Sequence, residues 1–201
     1  LSTGNISYRD STIIDGHQSG SCVVSDLPTI QASLYGFTIQ NGSGKAYTDD
    51  YGTLTRGGGV YINYAQNFNI NACIIKNNHG DFGGGINVLN STLNISVNII
   101  FNNTSIGGGG ILAFDNGQVI FDPINRCSIY ENYAGTGNDI SNNYSRYDME
   151  VYLDKGTINP TNDYYISSVK FPGTPGDFTV IDIWQAHRTE INQNLFVSPD
   201  G

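Results

Sequence analysis

The chain has 201 residues, of which 25 are Gly and 24 Asn, with only 13% charged and 38% hydrophobic. Gly and Asn are poor helix formers and good turn formers, so a helical bundle is excluded. The 13 Tyr, 9 Phe and low charge equally exclude a disordered chain. A net charge of −9 disfavours nucleic acid, anionic membrane surfaces and polyanionic glycans as partners, unless a bound cation reverses the local field.

No apolar run is long enough to span a membrane. The chain opens at Leu1 without Met and reads as a processed or excised segment, so the lack of a signal peptide says nothing about secretion.

In chain order the predicted elements repeat. Ser11-Thr-Ile-Ile-Asp-Gly16 aligns with Phe37-Thr-Ile-Gln-Asn-Gly42 at an offset of 26, which places Ile13 over Ile39. Gly57-Gly-Gly-Val-Tyr-Ile62 aligns with Gly83-Gly-Gly-Ile-Asn-Val88 and then Gly108-Gly-Gly-Ile-Leu-Ala113, at 26 and 25. Cys73-Ile-Ile-Lys-Asn-Asn78 aligns with Asn98-Ile-Ile-Phe-Asn-Asn103 and Cys127-Ser-Ile-Tyr-Glu-Asn132, at 25 and 29. The step of 36 from Ile39 to Ile75 is one ordinary turn plus an insertion of some ten residues.

Within the blocks apolar residues alternate at period 2, so they are strands. A period near 25 fits a coil of short strands that buries its apolar side only by stacking on the next coil. Leucine-rich repeats share this period but need Leu at offsets absent here.

Stacking predicts inward columns of Val60, Ile86 and Ile111, of Ile62, Val88 and Ala113, and of Ile39, Ile75, Ile100 and Ile129. Asn41, Asn77 and Asn102 form a turn column whose side chains can hydrogen-bond between coils. Cys73 and Cys127 fall two coils apart, about 9.6 Å on the usual strand spacing. A disulfide needs Cα atoms within about 7 Å, so that pair is expected unbridged. With Cys22 they are read as free thiols, since their spacing matches no zinc motif.

The Phe37–Gly42 block, the Gly-Gly-Gly-Ile blocks and the Asn turns resemble right-handed parallel β-helix proteins over about residues 6 to 143. That superfamily includes pectate lyases, glycoside hydrolases, phage tailspikes and many bacterial surface repeat proteins. The resemblance implies an all-β fold, a right-handed parallel β-helix of about five coils over residues 1–143. Composition shifts after Asn143, and strands are expected at 150–154, 164–169 and 179–184, punctuated by Pro160 and by the 172–176 stretch. Residues 144–201 are therefore expected to form a β-rich cap or linker. Residues 194–201 are similar to the opening strand of a following β-helix domain in a longer chain.

Pectate-lyase-like enzymes bind Ca²⁺ through clustered carboxylates and use a basic residue to abstract a proton, on the outer face of one sheet. Here the outward positions of the Gly-rich strands are Tyr61, Asn87 and Leu112, then Asn63, Leu89 and Phe114, which carry no such groups. β-Helix hydrolases need paired carboxylates with a His and a basic residue nearby. Asp49-Asp50 and Asn78-His79-Gly80-Asp81 are the only fragments similar to that set, and ordinary turn chemistry is the favoured explanation of them. His17 and His187 have no companion ligands.

No catalytic or metal-binding residue is therefore assigned. No cofactor is expected, Ca²⁺ being the one ion the resemblance would bring. The best functional candidate is the insertion from Gly42 to Arg56, because long loops on rigid scaffolds concentrate binding residues. Tyr47, Asp49, Asp50, Tyr51 and Arg56, projecting beside Tyr61 and Tyr64, are the candidate binding residues. Aromatic faces flanked by hydrogen-bonding groups suit sugar rings or a partner protein. The expected function is a secreted or cell-surface structural or adhesive module contacting a polysaccharide or cell-surface glycan, without catalysis. The alternative is a polysaccharide lyase or hydrolase whose groove lies partly outside this segment.

Overall fold

Short strands separated by Gly and Asn turns cannot pair within one coil, so each must pair with its equivalent in the next. The computed structural model describes residues 6–28, 31–49, 52–157, 164–166 and 178–187. They form a parallel β-solenoid of about 5 turns, with a single 3₁₀ turn at Ile6–Asp10. The segments 158–163, 167–177 and 188–201 lie outside the described residues, including Pro160, the 172–176 stretch and the 194–201 tail.

Three parallel sheets wrap the core. The long sheet takes Ile13–Asp15, Thr38–Gln40, Ile74–Lys76, Ile99–Phe101, Cys127–Tyr130, Met149–Thr157 and Phe178–His187. The glycine-led sheet takes Val23–Ser25, Val60–Asn63, Ile86–Leu89, Ile111–Phe114, Ile140–Asn143 and Tyr164–Ile166. The short sheet takes Ala32–Tyr35, Phe68–Asn71, Thr92–Ser96 and Gln118–Phe121. The strands beyond residue 143 thus add in parallel to the same two sheets. Met149, Val151 and Leu153 join the core.

The inward columns pair in the expected register, Val60 with Ile86 and Ile111, Ile62 with Val88 and Ala113, Ile39 with Ile75, Ile100 and Ile129. All of these side chains are 0% exposed. Full burial of one such aliphatic side chain contributes about 1.5–3 kcal/mol, so these columns are the main source of stability.

The first coil differs from expectation by one residue. Ile14, not Ile13, pairs with Ile39, an offset of 25. Ile13 is 52% exposed. Asp15 in this register accepts hydrogen bonds from Gln40 Nε2 (2.9 Å) and Asn41 Nδ2 (2.8 Å). The Gln40 bond, a bond from the His17 N–H (2.9 Å) and the Asn41 bond together hold its carboxyl down at about 2.

The turn asparagines also divide their work differently from the expected single column. Asn41, Asn77 and Asn102 adopt left-handed φ of 57°, 55° and 53°, which Asn tolerates better than most residues. The cross-coil ladder runs instead through the residue that follows. Gly42 N donates to Asn78 Oδ1 (2.9 Å), Asn78 N and Nδ2 to Asn103 Oδ1 (3.1 and 3.0 Å), and Asn103 N and Nδ2 to Asn132 Oδ1 (3.1 and 2.9 Å). Asn78 Nδ2 and Asn103 Nδ2 also donate to the Ile39 and Ile75 carbonyls (3.1 and 3.0 Å). These amides are 0–6% exposed and saturate a turn that would otherwise bury unpaired backbone groups.

Cys73, Asn98 and Cys127 share one column, with Asn98 between the two thiols accepting from Cys73 N (2.9 Å). All three cysteines are free.

Arg126 fastens the strand Phe178–His187. It donates to Pro123 O (2.9 Å), Asp182 O (3.2 Å) and Asp182 Oδ2 (2.6 Å), and it lies 3.9 Å from the Trp184 ring centroid.

Replacing Asn103 by Ala strands a buried backbone donor and two amide partners, and is expected to cost about 2–4 kcal/mol. Asn102→Gly removes only a left-handed turn residue and should change stability by well under 1 kcal/mol. Urea unfolding of both variants checks the division, and equal losses would contradict it.

Candidate functional site

The ten-residue insertion folds as an antiparallel hairpin, Lys45–Asp49 against Gly52–Arg56, with Lys45 opposite Arg56 and Tyr47 opposite Leu54. Its second strand is tied to the next coil. Arg56 bridges in parallel to Phe82, which bridges to Gly107. Thr55 N and Oγ1 both donate to Asp81 Oδ2 (2.7 and 3.0 Å), while Asp81 N donates to Thr55 Oγ1 (3.0 Å). Asp81 is therefore an anchor for the hairpin, and His79 Nδ1 pairs with Thr104 Oγ1 at 2.9 Å.

The outward positions of the glycine-led sheet are covered rather than open. Tyr61, Asn87 and Leu112 are 5%, 0% and 1% exposed. The cause is the glycine turn that precedes each strand. Gly57, Gly83 and Gly108 have φ of 61–68°, and a Cβ on each would lie 2.7–2.8 Å from the Cβ of Tyr61, Asn87 or Leu112. Only glycine permits this close return. The next column, Asn63, Leu89 and Phe114, lines an open pocket instead.

That pocket, about 340 Å³, is floored by this column and Tyr61 and walled by Lys45, Tyr47 and Arg56 of the hairpin. Asp26, Tyr64, Asn90 and Asp115 complete its lining. Its volume is at the lower end of the range of small-molecule sites, about 300–1,000 Å³. Tyr47 and Tyr64 remain about half exposed. Lys45 forms an ion pair with Asp26 and sits 5.3 Å from the Tyr61 ring centroid. Asn63 Nδ2 donates to the other Asp26 oxygen (2.8 Å). Burial pushes the Tyr61 phenol above its ordinary range, so it is a neutral hydroxyl at physiological pH.

The Arg56 guanidinium lies among three rings, 4.8 Å from Tyr47, 5.3 Å from Phe114 and 5.9 Å from Phe82. Among the described residues it forms no ion pair. Its buried Nε and the buried Oδ1 of Asn63 have no hydrogen-bond partner.

The structure therefore brings Tyr47, Arg56, Tyr61 and Tyr64 into one pocket. The backbone of Asp49 closes the first hairpin strand opposite Gly52, while Asp50 and Tyr51 lie outside the described residues. Sequence reasoning did not single out Asp26, Asn63, Leu89 and Phe114 for binding. The last three were placed at outward positions by the repeat, which was the available signal. Asp26 follows Ser25, which pairs with Ile62, so it stands at the head of that same column; its strand lacks the Gly-Gly-Gly lead of the later repeats and so gave no signal.

A second, shallower depression on the other side of the hairpin, lined by Gln18, Ser43 and Thr55 among others, contains no aromatic ring. No three of His, Cys, Asp and Glu come within metal-holding distance among the described residues. Burial pushes the thiols of Cys22 and Cys127 up to about 11 and about 12, and that of Cys73 upward, so none is a thiolate nucleophile at neutral pH. No protein-family model, curated protein or solved structure matches the chain.

Asp81→Ala should release the hairpin from its neighbouring coil while the core stays intact. Hydrogen exchange should speed up by about tenfold or more at residues 45–49 and 52–56, with little change at 86–89. Uniform acceleration across the molecule would count against a local anchor. A thiol reagent at pH 7 should leave Cys73 and Cys127 unmodified in the native protein and label both in denaturant. Rapid native labelling of either would contradict their burial.

Proposed function

We propose that this chain is a secreted or cell-surface β-solenoid module that binds a saccharide, without catalysis, between its hairpin and the outer face of the glycine-led sheet. The observation that carries this reading is the aromatic-walled pocket on a rigid scaffold. Tyr47, Tyr61, Tyr64 and Phe114 line it beside the polar groups of Lys45, Asn63 and Asn90. Apolar ring faces complement the C–H faces of a sugar, and interspersed donors and acceptors complement its hydroxyls. The strand beneath is fixed by fully buried Val60 and Ile62, so half of the site is preorganised.

A polysaccharide lyase or hydrolase would need carboxylates free to handle protons. Asp26 is instead engaged by Lys45 and Asn63, and Asp81 by Thr55, which leaves Asp115 as a lone carboxylate in the pocket lining rather than the pair that such chemistry uses. Their roles are better described as holding the hairpin and the pocket wall in place.

Glycan-array screening followed by calorimetry tests the reading. A saccharide ligand is expected, and Tyr64→Ala and Tyr47→Ala should each weaken it by about tenfold, the value of one lost stacking contact. Tyr8→Ala, exposed and outside the pocket lining, should leave affinity unchanged. Absence of binding to any saccharide at millimolar concentration would falsify the proposal.

A further inference from the structure

The pocket follows the solenoid axis, crossing strands rather than running along one. Its lining passes from Asp26 in the first coil through Tyr64 in the second and Asn90 in the third to Asp115 in the fourth. These positions are in register, because Ser25 pairs with Ile62 and Leu89 pairs with both Asn63 and Phe114. Four coils at the usual strand spacing of about 4.8 Å give a groove about 14 Å long. A sugar ring with its glycosidic oxygen advances about 5 Å at ordinary bond lengths. One ring therefore leaves most of the groove empty, and successive rings fall nearly in step with successive coils. Tyr64, Asn90 and Asp115 each follow a glycine-led strand with left-handed φ of 59°, 46° and 43°. Asn and Asp tolerate that region, but a bulky ring there is strained. Tyr64 keeps the strain although it is 54% exposed, so packing gives little reason for it. Strain held at an exposed ring on a pocket rim points to a ligand. The lining is also electrically balanced, with Asp26 and Asp115 against Lys45 and Arg56.

We propose that the saccharide is an uncharged chain of at least three sugars lying along the solenoid axis, one ring at each of Tyr64, Asn90 and Asp115. This rests on the carbohydrate reading above and narrows it. Tyr64 stacks on the first ring, with its phenol ring half exposed for the purpose. Asn90 is half-buried and its Oδ1 already accepts from Asn116 Nδ2 (3.2 Å), so its amide donates to a hydroxyl of the second ring. The exposed Asp115 carboxylate forms no ion pair among the described residues and accepts from hydroxyls of the third. Sugar hydroxyls both donate and accept, so one neutral chain meets both groups. A balanced lining offers no net attraction to a charged chain, and an acidic one would also enter against a net charge of −9.

Calorimetry on the full chain uses the neutral cello-, xylo-, manno- and N-acetylchito-oligosaccharides from one unit to six, with polygalacturonate as the acidic chain. In at least one neutral series the dissociation constant is expected to fall by about tenfold or more from one unit to three and to level off by five. Asp115→Gly, which tolerates the left-handed backbone, should abolish the gain between two units and three. If that variant misfolds, the length series on the unaltered protein decides the matter. Tyr64→Asn relieves the strained backbone, so it should weaken binding of every length while raising the urea midpoint. A lowered midpoint would show that the ring is kept for stability and would remove it from the site. Equal affinity for one unit and for longer chains would overturn the axial arrangement and leave saccharide binding standing. Tightest binding to polygalacturonate would overturn the preference for an uncharged chain. Failure to bind any probe, together with an empty glycan array, would remove both readings.

Discussion

Register between coils is the constraint on which everything else depends. In a parallel stack the backbone groups of each coil are satisfied only by the coils above and below. A slip of one residue would turn every inward side chain outward. The side chains enforce the same register as the backbone. Isoleucine meets isoleucine along the long sheet, and amide meets amide from Asn78 through Asn103 to Asn132. The apolar columns give most of the stabilisation, but they tolerate variation in shape. The amide ladder is less forgiving, since each member both donates and accepts, and removing one leaves groups on two coils unmet.

The same constraint creates the unusual outer face of the glycine-led sheet. Successive coils lie so close at their turns that a Cβ on Gly58 would sit 2.3 Å from Gly84 O, and one on Gly84 2.4 Å from Thr104 O. The glycines therefore let the chain fold back over Tyr61, Asn87 and Leu112, burying positions that alternation alone would expose. The next column, Asn63, Leu89 and Phe114, is also largely covered, but its edges line the pocket. The hairpin stands beside that column, and the pocket results from the two together.

Much of this was legible from the residues because two periods coincide in the sequence, 2 within strands and about 25 between coils. Where neighbouring residues share a chemistry, the sequence could not choose between them. Ile13 and Ile14 are adjacent and equally apolar, and the Thr-Ile match favoured an offset of 26. The actual offset of 25 lets Asp15 meet Gln40 and Asn41. Asn77-Asn78 and Asn102-Asn103 pose the same ambiguity, one residue bending the chain and the other bonding between coils. The insertion was legible as a break in the period, and its Tyr and Arg residues as binding chemistry. Its seating was not, because the bonds of Thr55 to Asp81 and the rings around Arg56 join residues that no local pattern relates.

A repeating scaffold would be expected to repeat its surface, yet the pocket occurs at one place. The segments equivalent to the root of the hairpin in later coils are short. Arg56 bridges to Phe82 and Phe82 to Gly107, and Gly107 pairs with Thr136. Along that column the cation of one coil is followed by a ring, then by hydrogen, then by a hydroxyl. The insertion supplies the charge, the next coil supplies one of the rings that hold it, and the strand beneath supplies Asn63. Regularity therefore makes the wall rigid, and the single departure from regularity makes it specific.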